Sequence, residues 1–290
     1  MNNSALEIVF WDVQHGGAVY IKTPSSTHIV QDLGTGSYGE DNEEFSPLLH
    51  LKNQWGVEQL DAVIISHPHK DHIDDIMNFD ELSPRVLYRP RHLTDKEIME
   101  GVREEDKYLF EKYLEINQRY SEDLTPGSDP FSEENNGGVE IRTFVPRSCS
   151  RSNLNNHSIV TVLSYADSKV VLTGDNEPCS LKELLEREDF IKAIRGADVL
   201  LAPHHGRESG FYSELFKYFK PRLTIISDGR FCDSSASDRY SKVSTGWTVY
   251  HRNSNEDEER YCVTTRSDGV IVVKLGYNPD EKPFIDVRID

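Results

Sequence analysis

The chain has 290 residues and a formal net charge of −18, long enough for one large α/β domain or two small ones. A surface this acidic repels a polyanion on average, which argues against a non-specific nucleic-acid binder. No stretch of about 18 apolar residues occurs, so no transmembrane helix is expected, and the first residues, Met1 to Glu7, lack the basic start and long apolar core of a signal peptide. Four widely scattered cysteines (Cys149, Cys179, Cys232, Cys262) form no CxxC pair. They read as reduced thiols of a soluble, cytoplasmic protein.

In chain order, the first sixty residues read as short strands with turns. Ile8–Trp11, Ala18–Ile21 and His28–Gln31 are separated by Gly16-Gly17 and Pro24-Ser25-Ser26. Asp32 and Gly34 follow the third strand, and 45–55 reads as a short helix. The apolar run Ala62-Val63-Ile64-Ile65 then leads into a histidine-rich loop. From Leu93 to about Tyr120 the spacing of Ile98, Val102, Leu109, Tyr113 and Ile116 is helical, opened by a capping box at Thr94 and Glu97. Residues 121–138 are rich in Ser, Pro, Gly, Asn and acid, so they read as a loop and a candidate lid. A strand is expected at Val139–Val145, and a hairpin from His157–Ser164 and Lys169–Thr173. A helix over Ser180–Ile194, strands at Asp198–Leu201 and Leu223–Ile226 with a helix near Ser213–Phe219 between them, and strands at Tyr261–Thr264 and Val270–Val273 complete the pattern. One domain over 1–290, two packed sheets with helices outside and a helical and loop insertion around 93–138, accounts for it.

The run His67-Pro68-His69-Lys70-Asp71-His72 places three imidazoles and a carboxylate in six residues at the end of an apolar strand. Nitrogen and oxygen donors at this density suit zinc, with manganese as the alternative. One ion cannot take all four groups from so short a loop and still bind substrate. The spacing therefore divides them between two ions, His67 with His69 and Asp71 with His72. A carboxylate can bridge two ions, and Asp175, after Gly174 at a strand end, suits that role; the lesser alternative, taken alone, is a cap for the following helix. His157 and the run His204-His205-Gly206 also follow or open strands. One of the two adjacent histidines can bind metal while the other contacts substrate or supports the loop.

Together these residues resemble the metallo-β-lactamase fold superfamily, with its HxHxDH signature and later Asp and His ligands, and within it the ComEC-type hydrolases. The ComEC-like opening pattern DVGQGD stands here as Asp12-Val13-Gln14-His15-Gly16-Gly17, followed by Asp32-Leu33-Gly34. The later patterns stand as Asn155-Asn156-His157-Ser158, Leu172-Thr173-Gly174-Asp175 and His204-His205-Gly206. The resemblance implies an αββα sandwich in which His67, His69 and His157 hold one divalent ion. Asp71, His72 and one of His204 or His205, His204 being favoured as the first after the strand, hold the second, and Asp175 bridges. It also implies that Asp32 orients the ligand loop from behind. Two departures stand out: an acidic residue of the opening pattern is missing, and Arg207 stands where the family tends to show serine.

The expected activity is hydrolysis of a phosphodiester by a hydroxide shared between two ions. Asp71 and Asp175 would act at the centre and Arg207 would stabilise phosphate charge. The substrate could be single-stranded nucleic acid or a nucleotide, including a cyclic one, with Arg85, Arg89, Arg91 and Lys96 forming a basic strip beside the site. A lactone or other ester, or a regulatory module without chemistry, are the alternatives. A protein partner or an oligomer is compatible with the sequence; a membrane partner is not expected.

Overall fold

The computed structural model describes residues 5–36, 45–229 and 235–290. The reading of residues 1–4 and the fate of Cys232 lie outside them. Two mixed sheets stack face to face. The larger is built from β1 (Leu6–Phe10), β2 (Val19–Lys22), β3 (His28–Gln31), β4 (Ala62–Ile64) and β5 (Val86–Tyr88). The smaller takes β6 (Glu140–Phe144), β7 (Val160–Tyr165), β8 (Ser168–Leu172), β9 (Val199–Leu201) and β10 (Leu223–Ile226). Of the later strands, β11 (Trp247–His251) and β12 (Glu256–Arg260) join the larger sheet, β13 (Cys262–Thr264) the smaller, and β14 (Ile271–Tyr277) and β15 (Pro283–Ile289) the larger. The strand orders are β12-β11-β15-β14-β1-β2-β3-β4-β5 and β13-β10-β9-β8-β7-β6.

Alternation along the strands creates the layers. On β1, Ile8 and Phe10 face the second sheet and pack with Leu163, Leu172, Leu201 and Ile225, while Val9 faces outward. Outside the larger sheet, Val9, Val30 and Val63 are covered by α1 (Pro47–Asn53) and by the helix Lys107–Arg119 through Leu109, Phe110, Tyr113 and Ile116. Outside the smaller sheet, Val160, Val171 and Leu200 meet Leu184, Phe190 and Ile194 of two further helices, Pro178–Leu185 and Glu188–Ile194. These helices replace the single one expected over Ser180–Ile194, because the chain breaks at Glu186 and Arg187. The expected helix near Ser213–Phe219 is a 3-10 turn, Ser213–Lys217.

Two features of the sandwich serve the site. Strands β3, β4 and β5 run parallel, as do β8, β9, β10 and β13, so each sheet presents several carboxyl ends at one rim. Cys149 and Cys179 form a disulfide, correcting the reading of reduced thiols for that pair. Their pairing depends on the β7–β8 hairpin, which folds the chain back so that the two Cα atoms lie 6.2 Å apart. The correction removes the support that reduced thiols lent to a cytoplasmic location. Cys262 keeps its thiol. No helix among the described residues is long and apolar enough to cross a membrane.

Candidate metal centre

Strand β4 is fully buried, and its end delivers Ser66 and His67 to the rim between the sheets. The Ser66 amide donates to Asp32 Oδ1 at 2.7 Å. Across the gap, the Ile159 amide donates to the Ser66 carbonyl at 2.9 Å. A single helical turn, Lys70–Ile73, then carries Asp71 and His72. The opening glycines pack directly beneath it: the Gly17 amide donates to the Asp71 carbonyl at 3.2 Å, and a Cβ on Gly16 would stand 2.6 Å from that oxygen. From the second sheet, Gly174 turns the chain at φ 55° so that Asp175 enters the same space. The His204 amide donates to the Gly174 carbonyl at 3.1 Å, joining the β8 and β9 loops.

Asp71, His72, Asp175 and His205 offer ligand atoms that all lie within 4.8 Å of one another. His72 Nε2 is 3.3 Å from Asp175 Oδ1, and His205 Nε2 is 3.3 Å from Asp71 Oδ2 and 3.4 Å from Asp175 Oδ2. Each ring is anchored through its other nitrogen. His72 Nδ1 is 3.0 Å from Asp32 Oδ2, and His205 Nδ1 donates to the Ser227 carbonyl at 2.8 Å. This is the arrangement that fixes a metal-binding imidazole, with Nε2 left for the ion. Both Nε2 atoms are buried and make no hydrogen bond. Buried imidazole nitrogens facing two carboxylates are the donor set a divalent cation takes.

His67 is wholly buried beside this group, its Nε2 3.8 Å from Asp175 Oδ2 and 2.9 Å from His69 Nδ1. Burial, reinforced by His72 and His69, holds its pKa well below the ordinary value, so its imidazole is neutral. Burial also lowers His69. Burial pushes the Asp71 and Asp175 carboxyls up, but His72 and His205 outweigh it and hold both below the usual carboxylate range. Against burial, Asp175 and Asp71 together raise His205 to about 10. The centre is thus a dense patch of matched charge with the carboxylates ionised.

The remaining expected residues fall differently. His157 does not open the strand; it ends a 3-10 turn, Leu154–His157, and β7 begins at Val160. Its Nδ1 lies 2.9 Å from His92 Nε2 and its Nε2 3.4 Å from the Ser150 carbonyl, so it stands outside the group of converging ligand atoms. The same turn brings Asn155 against His69, with its Nδ2 3.5 Å from His204 Nε2. His204 and His205 both sit at left-handed φ, 50° and 54°. His205 is the ring that enters the group, whereas His204 was the expected ligand. His204 lies 4.0 Å from Asp175 Oδ2, and its Nδ1 faces Glu177 Oε1 at 3.3 Å and Ser209 Oγ at 2.9 Å.

Sequence reasoning missed His15, whose Nε2 is 3.3 Å from Asp71 Oδ2 and whose ring centre is 4.8 Å from that of His205. Burial and His205 lower its pKa to about 4. The altered opening motif was the available signal. Arg207 lies 3.2 Å from His204 Nε2, its Nε is buried without a hydrogen bond, and it forms no ion pair among the described residues.

The expected basic strip is spent elsewhere. Arg85 pairs with Asp61 and Arg91 with Asp123, while Arg89 donates to the Leu87, Asn117 and Tyr120 carbonyls. These three arginines line a groove of about 630 Å³ that contains none of the histidine-loop residues, and Lys96 is not part of it. A separate cavity of about 300 Å³ opens against His69 and Asp71, with Lys70, Arg103, Arg151, Ile98 and Phe110 in its wall.

Comparison with known proteins bears on this geometry. A family profile described as the Metallo-beta-lactamase superfamily matches residues 16–227. ComE operon protein 3 of Bacillus subtilis (strain 168) is 24% identical over 245 residues, covering 77% of this chain and 28% of its own length. Recombination protein 2 of Haemophilus influenzae is 24% identical over 220 residues, covering 76% of this chain and 24% of its own. The chain thus spans about a quarter of the length of both relatives. Among solved structures, YhfI from Bacillus subtilis, described as a metallo-beta-lactamase fold protein, is 15% identical with a TM-score of 0.46, covering 91% of this chain and 98% of that one. Zn(2+)-bound PqqB from Methylobacterium extorquens is 11% identical with a TM-score of 0.42, covering 77% and 89%.

Proposed function

Because this chain belongs to the metallo-β-lactamase superfamily of metal-dependent hydrolases, we propose that it is a dinuclear phosphodiesterase acting on short or single-stranded substrates. His67 and His69, with Asn155 beside them, would hold one ion. Asp71, His72 and His205 would hold the other, and Asp175 would lie between them. Zinc or manganese bound there supplies Lewis acidity and an activated water. Asp32 and the Ser227 carbonyl fix the ring orientations on which that chemistry depends. Glu177 and Ser209 orient His204 at the edge of the centre, where its Nε2 accepts from Arg207 and helps to hold that guanidinium toward the site.

The choice of a phosphodiester rests on one observation above all. Arg207 is a guanidinium beside the centre with a buried, unpaired Nε and no carboxylate partner among the described residues. A guanidinium left without an acid is suited to a substrate phosphate, which it can grip with two N–H groups. The cavity of about 300 Å³ beside Asp71 supports the short-substrate reading, since it is of the order of one nucleotide in size. The similarity to the ComEC-type relatives supports nucleic acid as the source of that phosphodiester.

The test is hydrolysis by the zinc- or manganese-loaded protein of bis-p-nitrophenyl phosphate, cyclic nucleotides, and single- and double-stranded DNA and RNA, beside a panel of esters and lactones. Activity confined to esters or lactones overturns the phosphodiesterase reading. Activity on cyclic or other small phosphodiesters with every nucleic acid intact at low salt removes nucleic acid from it.

A further inference from the structure

We infer that His15 is a direct nitrogen ligand of the ion held by Asp71 and His205. The inference rests on the dinuclear reading above and adds to it a residue from the opening loop. Three imidazoles converge on one carboxylate oxygen: Asp71 Oδ2 lies 3.3 Å from His15 Nε2, 3.3 Å from His205 Nε2 and 3.8 Å from His72 Nε2. His205 donates through Nδ1 to Ser227, so its Nε2 faces Asp71 and is free to be given, with His15 Nε2, to an ion that lies between the rings and the carboxylate.

The loop that carries His15 is held on both sides. Ser227 Oγ donates to the Gly16 carbonyl at 2.8 Å, and the Gly17 amide donates to the Asp71 carbonyl. The residue whose carbonyl accepts from His205 Nδ1 therefore also anchors the backbone beside His15, and one serine sets the spacing of the two rings at 4.8 Å. The ligand loop, in turn, leaves room only for glycine at position 16. Within the opening motif, glycine stands at position 17 where an acid is expected, and an imidazole two residues earlier supplies a metal donor to the same neighbourhood.

The experiment is NMR of ¹⁵N-histidine protein titrated with ¹¹³Cd, with His15→Gln used to assign the signal. Direct coordination gives ¹⁵N–¹¹³Cd coupling at His15 as well as at His205. In His15→Gln the His205 coupling persists, and competition with a chelator shows the weaker zinc site loosened by about 10- to 100-fold. Coupling at His205 but not at His15, at full cadmium occupancy, overturns the inference and leaves the dinuclear reading intact, with His15 only a neighbour of Asp71. Absence of coupling at both rings overturns the two together. The wild-type coupling decides the matter even if the variant folds poorly.

Discussion

His204 and His205 are neighbours in sequence with different tasks, because consecutive left-handed residues send their rings to different partners. His205→Ala should loosen metal by at least about 100-fold, read by chelator competition. His204→Ala should keep its metal and lose turnover. Equal metal loss in both variants would show that His204 is a ligand as well. Arg207→Ala should raise KM for bis-p-nitrophenyl phosphate by about tenfold, roughly the worth of one charged hydrogen bond, with Lys restoring part of it. An unchanged KM would leave the phosphate without its partner. A different single-residue effect belongs to Asp75, which accepts from Ser46, Leu48 and Asn78 beneath α1. Burial raises its pKa to about 6 despite those hydrogen bonds. The fold favours its protonated form, so its contribution is complete below the ordinary carboxylate pKa of about 4 and is lost as pH rises through 6, a swing of about 3 kcal/mol. Denaturant titrations from pH 4 to 7 should show this slope in the wild type and a shallower one in Asp75→Asn; parallel curves would assign the slope to other groups.

At the scale of elements, the disulfide joins the segment preceding the Asn155 turn to the helix that follows Asp175. Closing a 30-residue separation stabilises by about 3–4 kcal/mol on the chain-entropy account. Reductant, or Cys149→Ser, should lower the denaturation midpoint correspondingly; no shift would mean that the bond is absent in solution. The same turn marks where sequence reading stops. The histidine loop, Asp32, Asp175 and the capping box at Thr94 were legible, because apolar strands flank the site residues and the box satisfies its own amides locally. The choice between Asn155 and His157 was not, since one 3-10 turn swings alternate side chains apart. Nor was β12, whose Glu-Asp-Glu-Glu-Arg run carries no alternation; it is an exposed edge strand paired with β11, and charge suits an edge that must not recruit another chain. The arginines of the expected strip were visible as charges, but their partners, carbonyls and acids from distant segments, were not.

For the whole molecule, a charge of −18 with its arginines largely committed to internal pairs sets the response to salt. A protein that grips six to ten phosphates loses roughly 10³–10⁵ in affinity between 50 and 200 mM salt. Cleavage of an oligonucleotide here should change by less than about tenfold over that range, with Arg207 as the main contact; a steep slope would reveal a polyanion track elsewhere on the surface. The bond between Ser227 and the Gly16 carbonyl spans 211 positions of sequence, and β1 is flanked by β2 and β14. This has a consequence in time as well as in space. On the ribosome, the opening loop and the histidine loop emerge before β10, and the bond from Ser227 to Gly16 cannot close until β10 and its serine have left the exit tunnel. Until then the histidine loop hangs on a half-built sheet with an open edge, so the candidate centre is assembled only after β10 has emerged.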